Sequence, residues 1–142
     1  MRGLTLIELL ITISLTIILA LAATPLYGNF QISAQLNENT SQLTQTLRQA
    51  QQRSISGFNN VSHGVIFNGQ SYILTQNQLG PSHDFTVNLD NSLFLSWVLS
   101  NASNTIWFDR AGRPNATGTI ILTHSVSGNR NISINSWGLI EE

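Results

Sequence analysis

The chain has 142 residues, no cysteine and a formal net charge of −1. Only 9% of its residues are charged, against roughly 25% in an ordinary soluble domain, and Asn, Ser, Thr and Gln stand in their place. Disulfide staples, Cys-based zinc sites and thiol catalysis are excluded, the charge offers no electrostatic footprint for nucleic acid, and the length suits one globular domain.

Arg2 and Gly3 precede an apolar run that opens Leu4-Thr5-Leu6-Ile7-Glu8-Leu9-Leu10-Ile11. Glu8 is a lone carboxylate within it, and no further charge appears until Glu38. Residues 9–26 are long enough to cross a bilayer core at about 1.5 Å per residue. An ionisable side chain that reaches the centre of such a span costs about 2.5–3.5 kcal/mol on insertion scales. A charge kept at that cost points to a partner for Glu8. Arg2 and the initiator amine flank one side, so the positive-inside rule places the N-terminus in the cytoplasm and the rest of the chain across the membrane. Two plainer readings compete: a secretory signal peptide cut near Ala20-Leu21-Ala22, and a simple anchor whose Glu8 snorkels to the interface. Neither accounts for a Gly directly before the run and a carboxylate five residues after it.

The stretch Gly3-Leu4-Thr5-Leu6-Ile7-Glu8-Leu9-Leu10 resembles the class III signal of type IV pilins and pseudopilins, with Leu4 where Phe is usual. The resemblance implies that a membrane-embedded prepilin peptidase cuts after Gly3 and N-methylates the new amino group of Leu4. It also implies that Glu8 pairs with the Leu4 amine of a neighbouring subunit during assembly. In low dielectric an ammonium and a carboxylate attract strongly, and leaving either alone is costly, so register is enforced by a penalty as well as an attraction. Pro25 extends the likeness. It lacks the N–H that would bond back to Leu21, and Gly28 follows, so a bend or partial unwinding is predicted over 24–29.

Beyond Gly28 the pattern becomes amphipathic: Ile32, Leu36, Leu43, Leu47, Ala50 and Ile55 recur at helical spacing. The helix is expected to continue to about Ser56 and to end at Gly57, with Arg48 and Arg53 as solvated charges near its C-terminus. Strands are then predicted at 61–67, 70–75, 84–89, 92–99, 105–109, 117–124 and 131–136. Asn68-Gly69 is read as a hairpin turn, and Ser127-Gly128-Asn129 joins the last two strands. The expected architecture is α+β: a long transmembrane-plus-amphipathic helix packed on an antiparallel β-sheet domain, type IV pilin-like. Its parts are a leader at 1–3, the signal and membrane helix at 4–30, an amphipathic helix at 31–57 and the β domain at 58–142.

A second likeness lies in Ile106-Trp107-Phe108-Asp109-Arg110-Ala111-Gly112, the apolar strand Thr119-Ile120-Ile121-Leu122-Thr123, and Ile132-Ser133-Ile134-Asn135-Ser136-Trp137-Gly138-Leu139-Ile140. It is similar to the closing pattern of GspH/FimT-type minor pseudopilins: F-x-x-x-G, an apolar strand, I-x-I, then G-x-I. The resemblance implies a structural subunit of a type II secretion pseudopilus, in the bacterial inner membrane or in the assembled filament. Its partners would be the prepilin peptidase, other pilin or pseudopilin subunits and the membrane.

The alternative is a minor type IV pilin, FimT/FimU-like, serving pilus assembly, adhesion or DNA uptake. Arg110, Arg113 and Arg130 look scattered and there is no lysine, which argues against nucleic acid as a partner. No catalytic residue, metal or cofactor is expected. There is no Gly-x-Ser-x-Gly elbow, His63, His83 and His124 stand singly, and Asp84, Asp90 and Asp109 are well separated. A membrane-tethered enzyme is the third reading. Trp97, Trp107 and Trp137 are expected as core or rim aromatics.

Overall fold

The computed structural model describes residues 5–76, 85–126 and 128–142, apart from the side chains at 22–27. One helix, α1, spans Leu6–Ile55. By its contacts the chain divides into two compact units between Ala34 and Gln35.

In the first unit the helix forms despite a run rich in β-branched residues, because every backbone bond can be met within the segment. The hydroxyls follow the same rule. Thr12, Ser14 and Thr16 donate to the carbonyls of Leu9, Leu10 and Thr12 at 2.9, 2.8 and 2.7 Å. Polar side chains in the apolar run are thus satisfied by their own helix.

In the second unit the helix carries a buried stripe: Leu36, Thr40, Leu43, Thr44, Leu47, Ala50 and Ser54. Apart from Thr44, which adjoins Leu43, the steps alternate between four and three, so the seam stays on one face. The Thr40 hydroxyl bonds back to the Leu36 carbonyl at 2.7 Å, which lets a polar residue sit in the stripe. One sequence expectation fails here. Ile55 is exposed, and Ser54 takes the buried register. The reason is a specific partner: the Ser54 hydroxyl accepts the His63 N–H at 2.8 Å and donates to the His63 carbonyl at 3.3 Å. Gly57, at φ 66, then ends the helix in the left-handed conformation, as expected for a glycine after the last turn.

A 3-10 turn at Phe58–Asn60 leads into eight described strands: β1 His63–Asn68, β2 Ser71–Gln76, β3 Phe85–Asn88, β4 Leu93–Leu99, β5 Thr105–Phe108, β6 Gly118–His124, β7 Asn129–Ile134 and β8 Ile140–Glu141. They form two antiparallel four-stranded sheets, ordered β3-β2-β1-β5 and β4-β6-β7-β8. Seven strands lie within a few residues of expectation. The two-residue β8 is too short to show periodicity. The first hairpin also differs: Asn68 pairs with Ser71, so Gly69-Gln70 forms the turn and Asn68 is the last ladder residue. That places the Gly69 and Gln70 carbonyls to accept from Leu95 and Leu89, tying the turn to β4 and to the chain beyond β3.

The core combines the helix stripe with alternating residues of both sheets. Val65, Phe67, Tyr72, Leu74, Ile106 and Phe108 come from the first sheet; Leu93, Leu95, Ile120, Leu122, Ile132 and Ile134 come from the second. Phe67 and Trp97 meet between the sheets with ring centroids 5.9 Å apart.

Candidate functional site

The helix N-terminus is built around Thr5 and Glu8. Thr5 precedes the first helical residue, and its backbone N–H and hydroxyl both donate to Glu8 Oε2, at 2.9 and 2.8 Å. The Glu8 N–H in turn donates to the Thr5 hydroxyl oxygen at 3.4 Å. This is a reciprocal capping box, in which N-cap and N3 residues satisfy each other's otherwise unpaired amides. Thr-x-x-Glu before an apolar run is its sequence signature. One carboxylate oxygen is thereby fixed against the helix end. Gly3 and Leu4, the expected cleavage and methylation positions, lie outside the described residues, as does the side chain of Pro25; the backbone over 24–29, where a bend or partial unwinding is expected, is helical and part of α1.

Around this carboxylate the helix surface is apolar on every side. Leu6, Ile7, Leu9, Leu10, Ile11, Ile13, Leu15, Ile17, Ile18, Leu19 and Leu21 are all exposed, each by more than half of its surface. A helix apolar all round is buried in a protein core or in a membrane, and a patch of this extent marks an interaction surface. Among the described residues no helix is long and apolar enough to cross a membrane. The expected span at 4–30 includes residue 4 and the side chains at 22–27, which lie outside that set.

The β domain has a second constructed region, around Gln51. Two loops fold the same way. Asp109 Oδ1 accepts the N–H groups of Ala111 and Arg113 at 2.9 and 2.7 Å, and Asn135 Oδ1 accepts those of Trp137 and Leu139 at 3.0 Å each. In each loop the fourth residue is a glycine at positive φ, Gly112 at 78° and Gly138 at 82°. The Gln51 side-chain amide donates to both glycine carbonyls at 2.8 Å. The F-x-x-x-G and G-x-I segments therefore meet on one helix residue. Their glycines are needed for conformation and for close approach.

The same loops gather arginines that look scattered in the sequence. The Arg113 guanidinium lies 5.4 Å from the Trp137 ring centroid, and that of Arg53 lies 5.6 Å from Phe58. Arg110 donates to the side-chain oxygen of Asn60. Arg130 is placed elsewhere, on Asn37. Arg48 donates to the Ile140 carbonyl at 3.3 Å, a helix-end cation put to structural use. Of the tryptophans, Trp97 and Trp107 are half-buried, whereas Trp137 is 75% exposed.

The histidines are not brought together. His63 is fully buried, its two ring nitrogens have no hydrogen-bond partner, and its ring lies 5.8 Å from that of Phe58. Burial, and then the Arg53 charge, hold its imidazole below the ordinary value, against a smaller pull from the Val61 backbone. The His124 ring accepts the Val126 N–H through Nδ1 at 3.2 Å. His83 and Asp84 lie outside the described residues. Among the described residues, no three of His, Asp or Glu gather as metal ligands.

No protein-family model matches the chain, and no curated protein sequence does. Its fold, however, has solved counterparts. A crystal structure of the type IV minor pilin FimU of Pseudomonas aeruginosa aligns at a TM-score of 0.61 and 15% identity, covering 79% of this chain and 90% of that one. A second crystal form of the same pilin aligns at 0.59 and 15%, covering 75% and 90%. At that identity the likeness establishes architecture: the chain has the type IV pilin fold, a long N-terminal helix packed on antiparallel β-sheet.

Proposed function

We propose that the chain is a minor structural subunit of a pilin-type filament, entering the membrane as a precursor and leaving it by assembly. The observation that carries this reading is the first half of α1. Its described surface is apolar, its own carbonyls take up its hydroxyls, and its one carboxylate is held at the tip by Thr5. Prepilin peptidase removes residues 1–3 and methylates the Leu4 amine. The helix then rests in the bacterial inner membrane, N-terminus cytoplasmic, with the β domain on the far side. On assembly it moves into a bundle of like helices, where the carboxylate of Glu8 neutralises the Leu4 amine of a neighbour. Burying that pair together avoids the penalty of burying either alone. No catalytic role is assigned to the chain.

The closing glycine pattern favours a type II secretion pseudopilus as the machine. The fold likeness to FimU, a type IV minor pilin, favours a type IV pilus as the second reading. Isolating each filament type from cells that make both and probing for the chain separates these two.

The assembly role is tested by Glu8→Ala in the full chain. The variant is expected to remain in the membrane fraction and to be lost from sheared filaments. Incorporation at the normal level would overturn the role given to Glu8.

A further inference from the structure

Trp107 lies between the core residues Ile106 and Phe108, so by strand alternation it stands on the face of the first sheet turned away from the core. It pairs with Gly64 across β5 and β1, and a Cβ on Gly64 would come within 2.7 Å of the indole. The ring is therefore laid against glycine backbone, an aromatic covering a cross-strand position that has no side chain. The same half-buried indole lines an open pocket of about 180 Å³ together with Ser62, Asp109, Arg113 and Asn115.

The walls of this pocket are held by the fold itself. The loop after β5 turns back on the strand: Phe108 bridges Pro114, and the Asp109 N–H donates to the Arg113 carbonyl at 3.0 Å. Asn115 then grips the Trp107 backbone twice, its N–H donating to the Trp107 carbonyl and its Oδ1 accepting the Trp107 N–H, each at 2.9 Å. Preorganisation of this kind leaves little for a ligand to order. Among the described residues the groups left without a hydrogen-bond partner are mixed. Asp109 Oδ2 is an acceptor, Asn115 Nδ2 is a donor, and the Ser62 hydroxyl is both. The Arg113 guanidinium has the Trp137 ring beside it and no carboxylate. Arg110, held by the Asn60 side chain close in sequence to Ser62, adds a second positive charge.

We propose that this pocket binds one ring of an acidic saccharide, a pyranose stacked on Trp107 with its carboxylate on Arg113. An aromatic floor with a few convergent polar groups is how small-molecule sites are built, and the volume suits a single ring. The guanidinium fork matches a carboxylate in two parallel hydrogen bonds. Sugar hydroxyls both donate and accept, which answers the mixed set at Asp109, Asn115 and Ser62. A phosphodiester backbone has no donor for Asp109 Oδ2 and is repelled by its charge, so a nucleic acid fits less well. Because Arg113 stands at the surface, its share of the binding weakens as salt rises. The site belongs to the β domain and is independent of the assembly role of α1.

Calorimetric titration of the detergent-solubilised full chain with oligogalacturonate tests the site, with a neutral glucose oligomer and a single-stranded oligonucleotide in parallel. The uronate is expected to bind, and the neutral oligomer to bind about tenfold more weakly, the equivalent of one charge-assisted hydrogen bond. Arg113→Gln should lower uronate affinity by the same factor, leave the neutral oligomer unaffected and keep the melting temperature. Trp107→Leu should abolish binding of both sugars, and Trp107→Phe, which still covers Gly64, should restore part of it. No heat with uronate at millimolar concentration overturns the proposal. So does equal affinity for the two sugars, or uronate binding indifferent to Arg113→Gln. Tighter binding of the oligonucleotide than of the uronate overturns it as well. None of these outcomes alters N-terminal processing, so the filament reading stands or falls separately.

Discussion

A Cβ added to Gly138 would come within 2.2 Å of the Gly112 carbonyl oxygen, so two loops distant in sequence pack backbone to backbone. Gln51 bridges the same two carbonyls from the helix. Gly138→Ala must therefore displace one loop and also hold a non-glycine residue at φ 82. It is expected to cost more than Gln51→Ala, which removes two hydrogen bonds worth about 1–3 kcal/mol together. Thermal unfolding of the detergent-solubilised chain checks the order; equal melting temperatures for the two variants would contradict the clamp.

The Ser54–His63 junction gives a second expectation. Ser54→Ala leaves the buried His63 N–H without its partner, a loss of about 1–3 kcal/mol. Ser54→Thr keeps the hydroxyl and should retain part of it. Denaturant midpoints of the two variants compare them directly.

The buried His63 ring makes stability fall on acidification. Its folded value lies below the ordinary one, so the unfolded chain binds the extra proton first. The neutral ring's contribution is complete above about pH 6.5, the ordinary imidazole value, and is lost as pH falls from there through the folded value. His63→Gln removes this titration and should flatten the slope of melting temperature against pH between neutrality and pH 5. An unchanged slope would mean that other groups set it.

Much of the architecture was legible because apolar spacing is a backbone-period signal. The stripe through Leu36, Leu43, Leu47 and Ala50 and seven of the strands follow from it. What was not legible depended on polar contacts between distant segments. Ser54 displaced Ile55 from the buried face because a hydroxyl was needed opposite His63. Gln51 looks like any exposed helix glutamine until the two glycine loops are placed on it. The arginines at 53, 110 and 113 come together only because those loops fold onto the helix end. At the N-terminus the opposite holds: Thr5 and Glu8 are three residues apart, and the capping box could have been read directly from the sequence.

That capping box predicts the behaviour of Thr5. Thr5→Val keeps the shape and removes the hydroxyl, so the first turn of α1 should exchange its amide hydrogens faster, while Thr5→Ser restores protection. Hydrogen exchange over residues 6–9 in detergent measures it. Equal exchange in all three chains would show that the hydroxyl does not hold the helix end.

The most direct measurement is the mass of the N-terminus of the chain extracted from membranes. Loss of residues 1–3 and one methyl group on Leu4 are expected. An intact Met1, or a new N-terminus near Ala23, would contradict the proposed processing.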